Sequence, residues 1–235
     1  MLMPALTPLE WEALSLSLRV AFWSAAFSLP MAIMVAWLLA RFDFPGKTLL
    51  NAAVHLPLIL PPVVTGYGLL LLLGTKGPLG AWLRDSFGLV FAFRWTGAAV
   101  AAAVMGFPLM VRAIRLSMEA VDRRLEAAAA TLGASPGMVF LTITLPLVLP
   151  GILAGTILAF AKGLGEFGAT ITFVSNIPGE TRTLPIAIYT FLQVPGGETS
   201  AIRLTIIAVI LSFVALLLSE ILARRTARRI HGDDD

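Results

Sequence analysis

The sequence predicts an all-α membrane protein that crosses the bilayer several times. Of its 235 residues, 58% are hydrophobic and 13% are charged, and the mean hydropathy is +0.89. A typical soluble domain carries roughly 25% charged residues. In addition, five apolar stretches approach or exceed the roughly 20 residues that a helix needs to cross a bilayer. We therefore expect one transmembrane domain over residues 1–235, without a separate soluble domain.

The five predicted spans cover about residues 14–40, 49–73, 96–118, 145–161 and 204–223. The first is not expected to be a cleavable signal, because Glu10 and Glu12 precede it without any Lys or Arg, and a signal peptide needs a basic start. The run from His55 to Pro62 contains three prolines and predicts that the second span is the most distorted. In the fourth span, Gly151 and Gly155 predict a close helix crossing.

Basic residues near the span ends predict the orientation of the chain. Ten of the 17 Lys and Arg residues fall on one side of a five-span arrangement: Arg41, Lys47, Arg112, Arg115, Arg123, Arg124, Arg224, Arg225, Arg228 and Arg229. The other side has five, which are spread over longer loops: Lys76, Arg84, Arg94, Arg182 and Arg203. Because basic residues favour the cytoplasmic side, we expect an outer N-terminus and a cytoplasmic basic tail at 224–235. This rule explains the basic pI better than nucleic-acid binding does.

A polar segment (residues 122–140) lies between the third and fourth spans and is too short and too polar to cross a bilayer. Glu126 suits the positive end of a helix dipole, and the four alanines after it favour helix. Gly133 is expected to end this helix, and Ser135 and Pro136 to begin another. The segment is either a docking helix for a cytoplasmic partner or an ordinary amphipathic loop helix.

The chain has no catalytic motor of its own. The phosphate-binding string GxxxxGK[ST] is absent, as are H-E-x-x-H and G-x-S-x-G. There is no cysteine, which excludes thiolate metal sites and disulfides. We therefore expect neither enzymatic activity nor a cofactor or metal in this chain, and any ATP-Mg is used by a partner.

A second polar stretch follows the fourth span, in the string GEFGATITF at 165–173. Lys162 and Glu166 are one helical turn apart and could form an ion pair. Charged groups at membrane depth usually face a bundle interior or a watery cavity. Neutral groups such as Thr170 suit an oxyanion that must be held weakly and then released. The stretch therefore either lines a translocation path or forms a salt-bridged turn at the membrane interface. In the loop at 74–95, aromatic residues predict a short helix at the lipid surface.

Several strings resemble the permease subunit of molybdate ABC importers. They are EAAAATLGASPGMVFLTITLP (126–146), FPGKTLLNAAVHLPLILPPVVTGY (44–67), FPLMVRAIRLSMEAVD (107–122), GEFGATITFVSNIPGETRTLPIAIYT (165–190) and PGGE (195–198). The first resembles the EAA loop shared by many ABC permeases, although Glu126 lies one residue earlier than usual. The fourth is far narrower and is similar to the molybdate branch. Sulfate, thiosulfate and tungstate permeases are the nearest alternatives.

This resemblance implies a type I importer core of five membrane helices with a cytoplasmic coupling helix. It also implies a bacterial inner-membrane homodimer, two cytoplasmic ATPases and a periplasmic molybdate-binding protein, working by alternating access. The implied coupling residues are Glu126, Ala128, Ala129 and Gly133, and the implied path or gate residues are Glu166, Thr170 and Thr65. An ion-coupled secondary transporter would normally have more spans and inverted repeats. A membrane scaffold that transports nothing would not need spans broken by Gly and Pro.

Overall fold

The computed structural model describes the backbone of residues 6–231 and the side chains of residues 6–222. Within this part of the chain, all regular structure is helical. The elements are α1 (Pro8–Arg41), α2 (Lys47–Ile59), α3 (Pro62–Leu73), α4 (Pro78–Phe87), α5 (Trp95–Glu119), α6 (Arg123–Thr131), α7 (Pro136–Val139), a π-helical turn (Phe140–Thr144), α8 (Leu145–Leu164), α9 (Gly168–Val174), α10 (Leu184–Leu192) and α11 (Glu198–His231). The side chains of the predicted basic tail, residues 224–235, lie outside the described residues.

Among the described residues, four helical stretches are long and apolar enough to cross a membrane: α1, α5, the continuous stretch from α7 to α8, and α11. They coincide with four of the five predicted spans. The predicted second span is present as α2 and α3, which are bent by 114° at a short break. Leu60 adopts an extended conformation immediately before Pro61, as expected for a residue that precedes proline. The predicted distortion of this span is therefore confirmed and amounts to a full break.

Helix α5 is the centre of the bundle and packs against α1 and α8. Its inner face places fully buried side chains such as Met110, Ile114 and Met118 against α1 and α8. A Cβ atom on Gly151 of α8 would lie 2.3 Å from the Cβ of Ser117. One on Gly155 would lie 3.0 Å from the carbonyl oxygen of Met110. The predicted close crossing is confirmed, and α5 is the helix that these glycines allow to approach.

Between the fourth and fifth spans, where Arg182 and Arg203 are expected in a longer loop, much of the chain is helical, so this expectation is wrong for much of the stretch. It contains α9, which packs between α3 and α5, and α10, which packs against α1 and α11. Phe173 and Val174 of α9 are fully buried. Likewise, Arg203 was assigned to a loop but lies within α11, which begins at Glu198. Helices of seven and nine residues are too short for a span search to find.

The end of α8 lies inside the bundle rather than at its surface. A Cβ atom on Gly163 would lie 3.2 Å from the hydroxyl oxygen of Ser24, and Ser24 lies near the middle of α1. Lys162, Glu166 and the start of α9 are therefore at mid-depth. The predicted short helix of the 74–95 loop is present as α4, where Trp82 and Phe87 are exposed and pack edge to face.

Candidate coupling segment and translocation path

The polar segment 122–140 forms α6, α7 and part of the π-helical turn, at the end of the bundle where Arg41, Arg115 and Arg123 lie (the basic end). The Asp122 carboxylate caps α6 by accepting a hydrogen bond from the backbone N–H of Arg124 at 2.9 Å. Gly133 follows α6 with a φ of +87°, a left-handed conformation that favours glycine. Ser135 caps α7, with Pro136 at its first position. The predicted end of one helix and start of the next are confirmed.

Glu126 lies in the first turn of α6 and points toward the bundle. Its Oε1 atom accepts a hydrogen bond from Nη2 of Arg41 at 2.7 Å and another from Oγ1 of Thr144 at 2.6 Å. Arg41 is the last residue of α1, and Thr144 is the last residue of the π-helical turn. Sequence reasoning did not find these two partners, which are 85 and 18 residues away from Glu126.

The other side of the segment is exposed and apolar. We call it the tip surface (Leu125, Leu132 and Met138); Leu132 is 88% exposed. The predicted coupling residues Ala128 and Gly133 are also exposed, whereas Ala129 is half-buried. Several exposed large apolar side chains on one short polar, non-spanning segment favour a surface that binds another protein.

Glu166 is buried at mid-depth, and each of its carboxylate oxygens accepts a hydrogen bond. Its Oε2 atom accepts from the Lys162 ammonium at 2.8 Å, and its Oε1 atom accepts from the backbone N–H of Ala169 at 3.0 Å. The predicted ion pair is therefore confirmed. The carboxylate also satisfies an N–H group at the start of α9, where a negative charge is favoured. Glu166 is 2% exposed, so within the described chain its carboxylate is not open to a ligand.

Thr65 and Thr170 flank a close contact between α3 and α9. A Cβ atom on Gly66 would lie 2.5 Å from the carbonyl oxygen of Ala169. Thr65 therefore precedes one contacting residue, and Thr170 follows the other. The Thr170 hydroxyl donates to the Phe167 carbonyl at 2.8 Å. The Thr65 hydroxyl oxygen is buried and has no hydrogen-bond partner among the residues that the structure describes. The role of these residues in a path stays a prediction.

A second buried ion pair lies at the opposite end of the bundle. The Glu10 carboxylate of α1 accepts a hydrogen bond from Nη2 of Arg203 of α11 at 2.8 Å, and Glu10 is fully buried. Glu10 also completes a capping box with Thr7 at the start of α1. The string T-P-L-E was a signal for this cap, but nothing local indicated Arg203 as a partner.

The loop after α9 contains several side-chain hydrogen bonds. Ser175 has a φ of +66°, which is unfavourable for a residue with a side chain. The Thr181 hydroxyl oxygen accepts a hydrogen bond from the backbone N–H of Ile177 at 2.8 Å. Nε of Arg182 donates to Oδ1 of Asn176 at 2.8 Å.

At the surface, the pKa values of two carboxyl groups are lowered. A hydrogen bond from Lys47 lowers the pKa of Asp43, and one from Arg84 lowers the pKa of Asp85.

The chain belongs to the family of binding-protein-dependent transport system inner membrane components, whose model matches residues 28–228. The molybdenum transport system permease protein ModB of Escherichia coli (strain K12) is 62% identical over 224 residues, which are 95% of this chain and 98% of that protein. The sulfate transport system permease protein CysT of the same strain is 36% identical over 222 residues, 94% of this chain and 79% of that protein.

A solved structure shares the fold: a bacterial alginate ABC transporter in complex with alginate pentasaccharide-bound periplasmic protein. One of its chains has a TM-score of 0.73 at 18% identity, and the match covers 94% of this chain and 81% of that chain. This confirms the predicted fold class, that of an ABC importer permease. Together with the family, it identifies the chain as a multi-pass inner-membrane transport subunit.

Proposed function

We propose that this chain is the membrane-spanning subunit of an ATP-driven importer that carries molybdate into the cytoplasm. The observation that carries the proposal is the 62% identity to a molybdenum permease over nearly the whole chain, against 36% for a sulfate permease. The family description supports dependence on a binding protein. Tungstate and sulfate are the competing oxyanions.

The proposed machine contains two copies of this chain, two cytoplasmic ATPases and a periplasmic molybdate-binding protein. ATP-Mg binds to the ATPases, because this chain has no phosphate-binding string. The basic end faces the cytoplasm, with the N-terminus outside, as the distribution of Lys and Arg favours. The ATPase docks on the tip surface around Ala128, Ala129 and Gly133, because exposed apolar side chains there need a partner.

We place the path beside the contact between α3 and α9. A dianion that passes through a bilayer needs weak polar partners. An unpaired charge on the path would either hold the anion too tightly or repel it. Lys162 and Glu166 neutralise each other, so neither binds the anion too tightly nor repels it. The Thr65 hydroxyl is buried and has no partner in the described chain, so in this proposal it meets the anion only when the contact between α3 and α9 opens. In this proposal, Glu166 shapes the path by holding the start of α9, and Thr170 supports the same turn.

Transport then follows from alternating access. ATP binding closes the ATPases and moves the coupling segments, so that the paired bundles change from inward-open to outward-open. Hydrolysis reverses the change. Each permease is a two-state element whose equilibrium is shifted by the ATPase at one end and by the loaded binding protein at the other.

The proposal is tested by reconstituting the chain with its ATPase in liposomes and measuring ATP-dependent uptake of molybdate, tungstate and sulfate. Each oxyanion is offered with and without the binding protein. We expect molybdate uptake that requires both ATP and the binding protein. A preference for sulfate would overturn the substrate, and equal uptake without ATPase would overturn the ATP-driven mechanism.

The same assay tests the coupling segment with a matched pair of variants. Gly133→Asp adds a charge and forces a side chain into a left-handed conformation, whereas Gly137→Asp adds the same charge at a position with ordinary backbone and open space. We expect uptake to be lost in Gly133→Asp and largely kept in Gly137→Asp. Equal loss in both would indicate that charge, and not the turn at Gly133, disturbs the segment.

A further inference from the structure

We propose that Arg41, Glu126 and Thr144 form a positioning node, which fixes the coupling segment to α1 and α8. In this assignment Glu126 acts on the membrane bundle, and the ATPase is bound by the tip surface on the other side of the segment. The inference rests on the proposed function of the segment, and it gives roles to Arg41 and Thr144, which no sequence pattern indicated.

The first argument is that α6 has little else to hold it. None of its residues, Arg123–Thr131, is buried, so it has no apolar face in the bundle core. In the described chain, two side chains of α6 make direct polar contacts with α1. Glu126 forms the ion pair with Arg41, and Arg123 donates a long hydrogen bond of 3.5 Å to the Ala40 carbonyl. A helix that must transmit movement without a packed face depends on such links.

The second argument is the burial of the node. The Arg41 side chain is 10% exposed and that of Glu126 is 22% exposed, while Thr144 is 2% exposed. Charge-assisted hydrogen bonds of 2.6 to 2.7 Å in such a setting are the strong ones. Nε of Arg41 is buried without a partner among the described residues. Loss of Glu126 would therefore leave a mostly buried cation uncompensated.

The third argument is where the node leads. Thr144 ends a π-helical turn, an uncommon element that is frequent at functional sites. The helical path from Pro136 through this turn to Leu164 is continuous, so movement of Thr144 is passed directly to α8. Arg41 passes movement to α1, which packs against both α5 and α8. One carboxylate thus joins the coupling segment to two membrane helices.

The experiment uses the complete transporter in liposomes, with uptake and ATP hydrolysis measured together. The test variants are Glu126→Gln, Arg41→Met and Thr144→Val. Glu119→Gln is a matched control, because its 2.7 Å ion pair with Arg115 lies at the same end but within α5. Thr142→Val is the second control, because its exposed hydroxyl bonds only the preceding turn of its own helix.

For the test variants we expect hydrolysis within twofold of the native rate and uptake per ATP reduced roughly tenfold, the order expected for loss of one charge-assisted hydrogen bond. Arg41→Lys should restore most of the ratio that Arg41→Met loses, because it returns the charge. Both controls should keep the native ratio. An unchanged ratio in Arg41→Met would overturn the node. A fall of hydrolysis in step with uptake would instead assign Glu126 to ATPase contact.

A second measurement separates the node from the proposed function. The chain has no cysteine, so a single spin label can be placed at the exposed Leu132 by Leu132→Cys, in the permease alone in liposomes. We expect the label to become more mobile in Arg41→Met and Thr144→Val, but not in Thr142→Val. If the native transporter takes up no molybdate but the label becomes more mobile in Arg41→Met, the proposed substrate is wrong and the node stands. If mobility is unchanged, the node is wrong whatever the substrate.

Discussion

The contact between α3 and α9 makes a sharp prediction about two glycines of the same helix. Gly66 faces α9, where an added Cβ would lie 2.5 Å from the carbonyl oxygen of Ala169 and 2.8 Å from its Cα. Gly68, two residues later in α3, has nothing within 4 Å of an added Cβ. Gly66→Ala and Gly68→Ala therefore add the same methyl group to the same helix, and only the first meets backbone.

The magnitude follows from these distances. An ordinary contact begins at 3.4 Å, so α3 and α9 must separate by about 0.9 Å to admit the methyl group at Gly66. The three atoms that it meets are all backbone atoms of Ala169 and cannot rotate away. Overpacking of this kind costs about 1–3 kcal/mol, whereas Gly68→Ala gains up to about 1 kcal/mol of helix propensity. The two variants should therefore differ by about 1–4 kcal/mol, or about 2–16 °C in melting temperature.

The assay is thermal unfolding of the purified permease in detergent, measured by the fluorescence of its five tryptophans. Size-exclusion chromatography is used as a second measurement. We expect Gly66→Ala to melt lower and Gly68→Ala to melt at or above the native temperature. Equal melting temperatures for the two variants would show that α3 and α9 are not packed backbone to backbone. The assignment of Thr65 and Thr170 to one region would then fail as well.

Two further predictions concern the ends of the bundle. Glu10→Gln should destabilise the permease by about 3 kcal/mol, because it leaves Arg203 paired with a neutral group in a buried site. The control Glu12→Gln changes an exposed position and should leave the melting temperature unchanged. An equal effect in both variants would refute the buried pair. Gly133→Ala should lower uptake per ATP severalfold, because a left-handed Ala costs about 1 kcal/mol in the turn. Gly137→Ala should have no such effect. Native transport by Gly133→Ala would show that the turn is not needed.

Local chemistry explains what the sequence predicted well. Four spans match because a run of about 20 apolar residues has few alternatives to a membrane helix. The ends of α6 and α7 match because Gly133 and Ser135 act within one turn of the chain. The prolines predicted a distorted second span, but no local rule gives the size of its 114° bend, beyond which α3 packs against α9.

The remaining features depend on contacts between distant parts of the chain. The local sequence around Glu126 indicates only an acidic residue near the start of a helix, because its partner Arg41 is 85 residues away. The seven residues of α9 are helical because they are enclosed by α3 and α5, since so short a segment is not stable as an isolated helix. The same holds for Glu10 and Arg203, which lie at the starts of the first and last long helices.

Two ion pairs connect the two ends of α1 to other parts of the chain. Glu10 joins its first turn to α11, and Arg41 joins its last residue to the coupling segment. Between these points α1 packs along α5 and α8, so this helix is held at both ends of the bundle. In the proposed mechanism, movement of the tip surface reaches the opposite end through α1 and also through the continuous α7–α8 helix. Breaking the pair at either end should therefore uncouple the two faces of the transporter without closing the path between α3 and α9.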